Sequence, residues 1–170
     1  LDVVRDGFMH TKVVVTGMGV VSPVGNSLDT FWTSLCEGRS GIRLITHFNT
    51  DQLASKIAGV PEDVAPAGMS TKDIRRQSKY TLFALEASDQ AWHHAGLDID
   101  REDPSRCSVF IGSGIGGIDG IEENSVKCHT GGARRISPFM MPHSLINMAP
   151  GTVGIRLGLT GHNRAIVTAC

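Results

Sequence analysis

Three short apolar runs, rich in β-branched residues, predict buried strands at residues 12–21, 106–111 and 165–168. The turn at 22–25 closes the first run, because its proline and glycine do not continue a central ladder. The last run leads directly to Cys170. A thiol is therefore expected at the carboxyl end of a strand, where α/β proteins often carry nucleophiles.

Four segments carry apolar residues at helical spacing and predict helices. The first spans 27–37 and begins at a capping serine. The second begins with a capping box at Ser70 and continues through an alanine stripe up to residue 95, so that it can approach another backbone closely. The third covers 118–131, and the fourth covers 144–157 with a bend at Pro150.

The remaining segments lack a sustained period. Residues 41–68 predict mostly loop with short extended pieces, and residues 136–142 predict an extended apolar stretch, fixed by two prolines, at a subunit contact. The order of the elements is strand, helix, helix, strand, helix, helix, strand. This order predicts a layered α/β fold.

Composition sets the class of protein. The chain has 170 residues, of which 41% are hydrophobic and 19% charged, as expected for one globular domain with a core. No run is long enough to cross a bilayer and no secretory signal opens the chain, so a cytoplasmic protein without membrane insertion is expected. Residues 1–9 are interpreted as a leader or an expression remnant, and residues 10–170 as the domain.

The distribution of charge and the cysteine pattern limit the classes of partner and ligand that the chain is expected to bind. No Asp or Glu follows Glu123, whereas five lysines and arginines do. A basic surface of this kind suits an acidic protein or a phosphorylated ligand, although a solvated face is the usual explanation. Nucleic acid is disfavoured by 5% aromatic residues and by the lack of any nucleic-acid module. The four cysteines and seven histidines form no metal-ligand pattern, so no metal is expected.

Two motifs leave alternatives open. Cys170 is either a nucleophile or a small buried apolar residue. The loop Gly112-x-Gly114-x-x-Gly117, between a strand and a helix, has the spelling of a dinucleotide-binding turn. A dinucleotide-dependent oxidoreductase also needs an acidic residue about 20 positions later to hold the ribose, and this chain has none there.

Resemblance to a known protein family favours a further interpretation of both Cys170 and the glycine loop. Five segments, in chain order, resemble the successive signatures of the β-ketoacyl-[acyl-carrier-protein] synthases, especially the type II elongating (KAS II-like) condensing enzymes: Val13-Val-Val-Thr-Gly-Met-Gly-Val-Val-Ser-Pro-Val-Gly25, Gly112-Ser-Gly-Ile-Gly-Gly117, Ile136-Ser-Pro-Phe139, Leu145-Ile-Asn-Met148 and Thr168-Ala-Cys170. The chain departs from the family's usual residues at Pro150, His162 and Met140. These departures affect the detail of the pocket more than the class of enzyme.

The resemblance implies a thiolase-type αβαβα layered fold, of which this chain is the N-terminal half. Cys170 would be the nucleophile, at the N-terminus of a buried helix whose dipole favours the thiolate. The family's C-terminal half, absent from this sequence, would supply two histidines, a lysine and an oxyanion-hole amide. The implied reaction is condensation of an acyl thioester with malonyl-acyl-carrier-protein in fatty acid elongation, with no metal, nicotinamide or flavin cofactor.

The resemblance also implies roles for individual residues. Ile115 would border the acyl pocket, and Phe139 with Met140 would lie at a homodimer interface and line the partner's pocket. Acyl carrier protein, with its phosphopantetheine arm, would dock on a patch of cations: Lys72, Arg75, Arg76, Arg134 and Arg135.

Two further alternatives share this fold. One is a non-catalytic ketosynthase-like partner subunit, against which Cys170 argues, and the other is a polyketide ketosynthase. The 170-residue piece alone is predicted to be inactive and to expose the sheet face that the second half covers.

Overall fold

The computed structural model describes residues 12–168. Helices and strands follow one another as α1 (Leu28–Cys36), β1 (Ile42–Leu44), β2 (Ile57–Gly59), α2 (Thr71–Ile74), α3 (Lys79–His94), β3 (Val109–Gly112), α4 (Ile118–Gly131), α5 (Met140–Ser144), α6 (Met148–Leu157) and β4 (Asn163–Ile166). Short 3-10 turns precede β3 and α5, at Pro104–Arg106 and Ala133–Arg135. The mixture of helices and strands confirms the predicted α/β class.

The two strands that lead to the glycine loop and toward Cys170 pair in parallel. β3 and β4 pair in parallel, with Val109 opposite Asn163 and Gly112 opposite Ile166. Their connection contains α4, α5 and α6, because parallel neighbours need a long crossover. β1 and β2 form a separate antiparallel pair within the segment predicted as mostly loop.

The core lies where α3, α6 and β3 meet. Leu85 of α3, Val109 of β3 and Val153 of α6 are all buried and form one cluster. Arg156 of α6 is bound to Asp89 of α3, and this hydrogen bond raises the pKa of the guanidinium. An apolar cluster and an ion pair therefore hold the two helices together.

The other face of the β3–β4 pair is uncovered. Phe110 alternates with Val109 along β3 and is 57% exposed, and Ile166 of β4 is 49% exposed. Val13 and Val15, in the first apolar run, are 94% and 80% exposed. The described part of the chain thus presents an apolar surface of considerable extent to solvent.

The prediction of a strand at 12–21 is wrong for this structure, since no strand is assigned to the described residues of that run. The backbone amide of Met18 donates to Nδ1 of His94 at 3.1 Å, and that of Val20 donates to Oε1 of Gln90 at 3.0 Å. Two amides that a ladder would use are bonded to α3 side chains instead.

The alanine stripe on α3 allows the close approach predicted from its spacing. A Cβ atom placed on Gly17 would collide with the carbonyl oxygen of Ala91, and one placed on Gly19 with that of Ala87. Glycine is therefore required at both positions by contact with the helix backbone.

The helix predicted from Ser70 onwards is two helices. Ser70 does cap a helix, with its side chain accepting from the Asp73 amide, but α2 ends after one turn. Ser78 is extended (φ −72°, ψ 156°) and its side chain accepts from the Thr81 amide, which begins α3. A second capping serine therefore interrupts the segment.

The segment predicted as extended at 136–142 turns into α5 at Met140. Pro142 lies in the first turn of α5, where a missing N–H is tolerated. The prediction of an extended stretch is therefore wrong for its second half.

The helix predicted at 144–157 is interrupted, because Leu145 is extended (φ −72°, ψ 130°) and α6 begins only at Met148. Pro150 falls in the first turn of α6 and not in its middle. The predicted bend is therefore replaced by a helix start.

The helices predicted at 27–37 and 118–131 are confirmed, the first with Ser27 as its N-cap. The two later strands are shifted. β3 starts three residues after the predicted start because a 3-10 turn capped by Asp103 occupies Pro104–Arg106, and β4 covers Asn163–Ile166.

Candidate active site

The candidate site lies at the carboxyl edge of the β3–β4 pair. Gly112 and Ile166 are register partners, and the Ser113 amide donates to the Ile166 carbonyl at 3.1 Å. The glycine loop that follows Gly112 therefore starts beside the end of β4. Cys170 follows four residues after Ile166 and lies outside the described residues.

Two glycines of the loop, Gly116 and Gly117, are required because they contact protein backbone closely. Gly116 has φ +78°, and a Cβ there would lie 2.8 Å from the Ser144 carbonyl oxygen. A Cβ on Gly117 would collide with the carbonyl of His143, and the Gly117 amide donates to the Ser144 carbonyl at 3.3 Å. The close approach that these two glycines permit is to the end of α5, which accounts for Gly117, the last glycine of the motif that the sequence also allowed as a dinucleotide turn.

Ile115 is predicted to border the acyl pocket, and Phe139 with Met140 to line the partner's pocket; the structure places the last two together. Phe139, 41% exposed, precedes α5, and the partly buried Met140 begins it. Both line a cleft of about 210 Å³, together with Arg75, Glu123, Asn124, Lys127, Ser137 and His143. Ile115 is 60% exposed in the glycine loop and does not line this cleft.

Tyr80 positions the start of α6 and was missed by the sequence analysis. Its hydroxyl donates to the Leu145 carbonyl at 2.7 Å and accepts from the Ala149 amide at 3.3 Å. Tyr80 appeared in the sequence only as a helical-spacing residue. Its partners are 65 and 69 residues away, so no local pattern could reveal this role.

His143 was also missed. Its Nε2 lies 2.8 Å from the Gln77 carbonyl, which can only accept, so Nε2 carries the proton. A Cβ on Gly120 would lie 2.6 Å from the other ring nitrogen. The ring therefore packs between α4 and the α2–α3 junction and fixes the end of α5.

Asn124 provides a third support. It is 4% exposed within α4. Its amide donates to the Gly120 carbonyl at 2.8 Å, and its oxygen accepts from the Ser137 amide at 2.7 Å. An asparagine inside a predicted helix can be recognised in the sequence, but its hydrogen bond to a residue 13 positions away cannot.

The cations predicted to form a docking patch lie in two groups. Lys72 is in α2 with Arg75 and Arg76 directly after it, and Arg134 and Arg135 are in the 3-10 turn after α4. The structure adds Lys127, which shares one cleft with Arg75 and another, of about 510 Å³, with Arg135. Lys127 therefore lies between the two groups.

Two of these cations have specific partners. Lys127 Nζ lies 2.5 Å from Oε1 of Glu123, and this hydrogen bond lowers the pKa of the Glu123 carboxyl. The Arg76 guanidinium lies 3.8 Å from the Asp73 carboxylate and 4.9 Å from the centre of the Phe139 ring.

Residues 12–168 contain no group of three or more His, Cys, Asp and Glu side chains that could hold a metal ion. Within the same range, none of the helices has the length and hydrophobicity needed to cross a membrane.

Comparison with known proteins identifies the family. Residues 10–170 match the profile described as "Beta-ketoacyl synthase, N-terminal domain". The chain is 44% identical over 160 residues to 3-oxoacyl-[acyl-carrier-protein] synthase 2 of Coxiella burnetii, and this alignment covers 94% of the chain and 39% of that relative. The chain thus spans about two fifths of the length of the curated relatives it matches.

Solved structures agree on the fold. The ishigamide ketosynthase/chain length factor superposes with a TM-score of 0.78 at 22% identity, covering 92% of this chain and 40% of that one. A ketosynthase solved with its type II polyketide synthase acyl carrier protein, AntDE:AntF, gives 0.66 at 18%, covering 90% and 40%. The predicted thiolase-type fold is confirmed. The chain belongs to the β-ketoacyl synthase family and corresponds to its N-terminal domain.

Proposed function

We propose that the full-length protein containing this chain condenses an acyl thioester with malonyl-acyl-carrier-protein, giving β-ketoacyl-acyl-carrier-protein and CO2 in fatty acid elongation. Relatives about 40% identical carry the name 3-oxoacyl-[acyl-carrier-protein] synthase 2, which supports this reaction class. The nucleophile in this proposal is Cys170.

The observation that carries the proposal is the pairing of Gly112 with Ile166. It brings the start of the glycine loop to the end of the strand from which the chain continues to Cys170. A thiol that follows a parallel strand closely in the sequence suits a nucleophile that must meet a flexible thioester arm.

In the first stage, the Cys170 thiolate attacks the acyl carbonyl carbon. The new carbon–sulfur bond replaces the bond to the carrier's phosphopantetheine sulfur, which leaves as a thiol after taking up a proton. In the second stage, the malonyl thioester loses CO2 and its electron pair passes into an enolate. The enolate carbon attacks the acyl-enzyme, forms the new carbon–carbon bond and releases the Cys170 thiolate.

Residues of the described part have supporting roles in this scheme. Ile115 borders the acyl chain, Phe139 and Met140 line the partner's pocket across the homodimer interface, and the five predicted cations receive the acidic carrier protein. A similar fold has been solved with an acyl carrier protein bound, which makes this partner plausible on structural grounds. The homodimer and the cytoplasmic location stay predictions.

The test is transfer of one acyl group from an acylated carrier protein to the full-length protein, followed by intact mass and peptide mapping. We expect a single acyl group on the Cys170 peptide, none in Cys170→Ala, and unchanged transfer in Cys36→Ser, which removes an exposed thiol of α1. A full-length protein that remains unmodified contradicts the proposal and favours the non-catalytic partner subunit.

Residues 1–170 alone are proposed to be inactive, because the family's histidines, lysine and oxyanion-hole amide would have to come from elsewhere in the protein. Condensation of malonyl and acyl thioesters by a polypeptide verified by mass to end at Cys170 would contradict this.

A further inference from the structure

Arg76 differs from the other cations of the predicted docking patch in what it contacts. Within residues 12–168, it is the cation that lies over an aromatic ring, 4.9 Å from the centre of Phe139. Its ion pair with Asp73 is long, at 3.8 Å, and both side chains are substantially exposed. An exposed pair of this length contributes little, so the ring is the more specific contact.

The geometry leaves the guanidinium available for a second partner. An arginine that packs its face against a ring keeps its N–H groups at the edge of the guanidinium, where they can hold a carboxylate or phosphate in a fork. The Arg76 side chain is 40% exposed, so this edge is reachable from solvent. A lysine at this position would keep the charge but would lose the planar face and the fork.

Phe139 is placed to hold the guanidinium in one orientation. It lies directly before α5, and its backbone amide donates to Ser137 Oγ at 3.2 Å. The ring lines the same cleft as Arg75 and Lys127. An apolar residue is thus inserted among these cations, next to Met140, which is also predicted to line the partner's pocket.

Building on the condensing activity proposed above, we propose that Phe139 pre-orients Arg76 as the anchor for an acidic group of the carrier protein. Phe139 then contributes to docking although it carries no charge, because a side chain already held in its bound orientation loses less freedom on binding. The contact also joins the docking patch to a residue that is predicted to line the partner's pocket.

Binding of unacylated carrier protein to the full-length protein tests this, because no acyl chain then enters the pocket. We expect Phe139→Leu to weaken binding about three- to five-fold, and Arg76→Lys to do the same. The double variant should be no weaker than Arg76→Lys alone, because both changes remove one shared contact. Met141→Leu is the matched control, since Met141 is a 58% exposed apolar residue of α5, two positions after Phe139, and should bind normally.

Salt dependence separates pre-orientation from general damage. Neither Phe139→Leu nor Arg76→Lys changes the charge, so the slope of affinity against ionic strength should stay that of the wild type, whereas Arg76→Gln should reduce it. Normal binding by Phe139→Leu beside weakened binding by Arg76→Lys would overturn the inference. So would strictly additive losses in the double variant.

Acylation of Cys170 by a carrier-free acyl thioester is measured in parallel and tests the proposed function independently of docking. If Cys170 is acylated and only the binding predictions fail, the inference falls and the proposed function stands. If wild-type protein neither binds the carrier nor acquires an acyl group, both fall.

Discussion

Arg156 holds Asp89 through two parallel contacts, with Nε 2.8 Å from Oδ1 and Nη2 2.6 Å from Oδ2, and its Nη2 also donates to the Ala67 carbonyl at 2.6 Å. This fork joins α6 to α3, the two helices that form the core together with β3. Both side chains are largely withdrawn from water, at 24% and 16% exposure.

Removing one member of this pair should cost more than removing both. We expect Arg156→Met to destabilise the protein by about 1–3 kcal/mol, because a poorly solvated carboxylate is left unpaired. The double variant Asp89→Leu with Arg156→Met should recover most of this loss. Thermal unfolding of the full-length protein measures both, and equal losses in the single and double variants would contradict the explanation.

Tyr80→Phe should lower the rate of condensation. It removes the hydroxyl that binds the Leu145 carbonyl and the Ala149 amide, so the turn between α5 and α6 loses its fixed position. The loss in unfolding free energy should be about 1–2 kcal/mol. Ser55→Ala is the control, because it removes an exposed hydroxyl that donates to the nearby Ile57 carbonyl, and it should leave the rate unchanged.

Gly116 and Gly132 form a natural pair for testing the glycine loop. Both have φ +78°, but a Cβ on Gly116 would be 2.8 Å from the Ser144 carbonyl oxygen, whereas a Cβ on Gly132 meets nothing within 4 Å. Alanine at either position carries the cost of a positive φ, which is about 1–3 kcal/mol. Gly116→Ala should cost about 1–3 kcal/mol more, because α5 must shift. Equal unfolding temperatures for the two variants would show that the loop tolerates displacement.

The Glu123–Lys127 pair gives a pH prediction. The pKa of Glu123 is lowered in the folded protein, chiefly by the hydrogen bond from Lys127. The stabilisation is therefore present above the ordinary pKa of an unfolded glutamate and is lost as the pH falls through the lowered value. The effect on stability should be small, because both side chains are exposed.

Titration of the Glu123 carboxyl by NMR checks this directly. In Lys127→Gln the pKa of Glu123 should return toward its ordinary value, while Lys12→Gln should leave it unchanged. An unaltered titration in Lys127→Gln would assign the shift to another group.

The sequence patterns correctly predicted the helices that depend on interactions between nearby residues. The helix at 118–131 has its apolar residues, its glycine start and its glycine end in one stretch of sequence, and the structure confirms it. The division between α2 and α3 was missed because Ser78 sits in a polar, cationic stretch where a second cap is hard to distinguish from ordinary surface.

The features that the sequence did not predict depend on contacts between distant segments. The strand predicted at 12–21 depends on a partner strand, and its amides at Met18 and Val20 bind α3 side chains more than 65 residues away. The supporting roles of Tyr80 and His143 likewise rest on partners more than 60 residues away. Sequence spacing alone does not indicate such pairs. The family signatures supplied the candidate site because they occur in order along nearly the whole chain.

The uncovered apolar face around Phe110 and Val13 has a consequence for synthesis. In a protein with the length of its relatives, these residues leave the ribosome while about three fifths of the polypeptide is still untranslated. At about 5–20 residues per second, that interval lasts some tens of seconds. During it the nascent chain exposes an aggregation-prone apolar surface, so production of the full-length protein should depend on chaperone supply during translation.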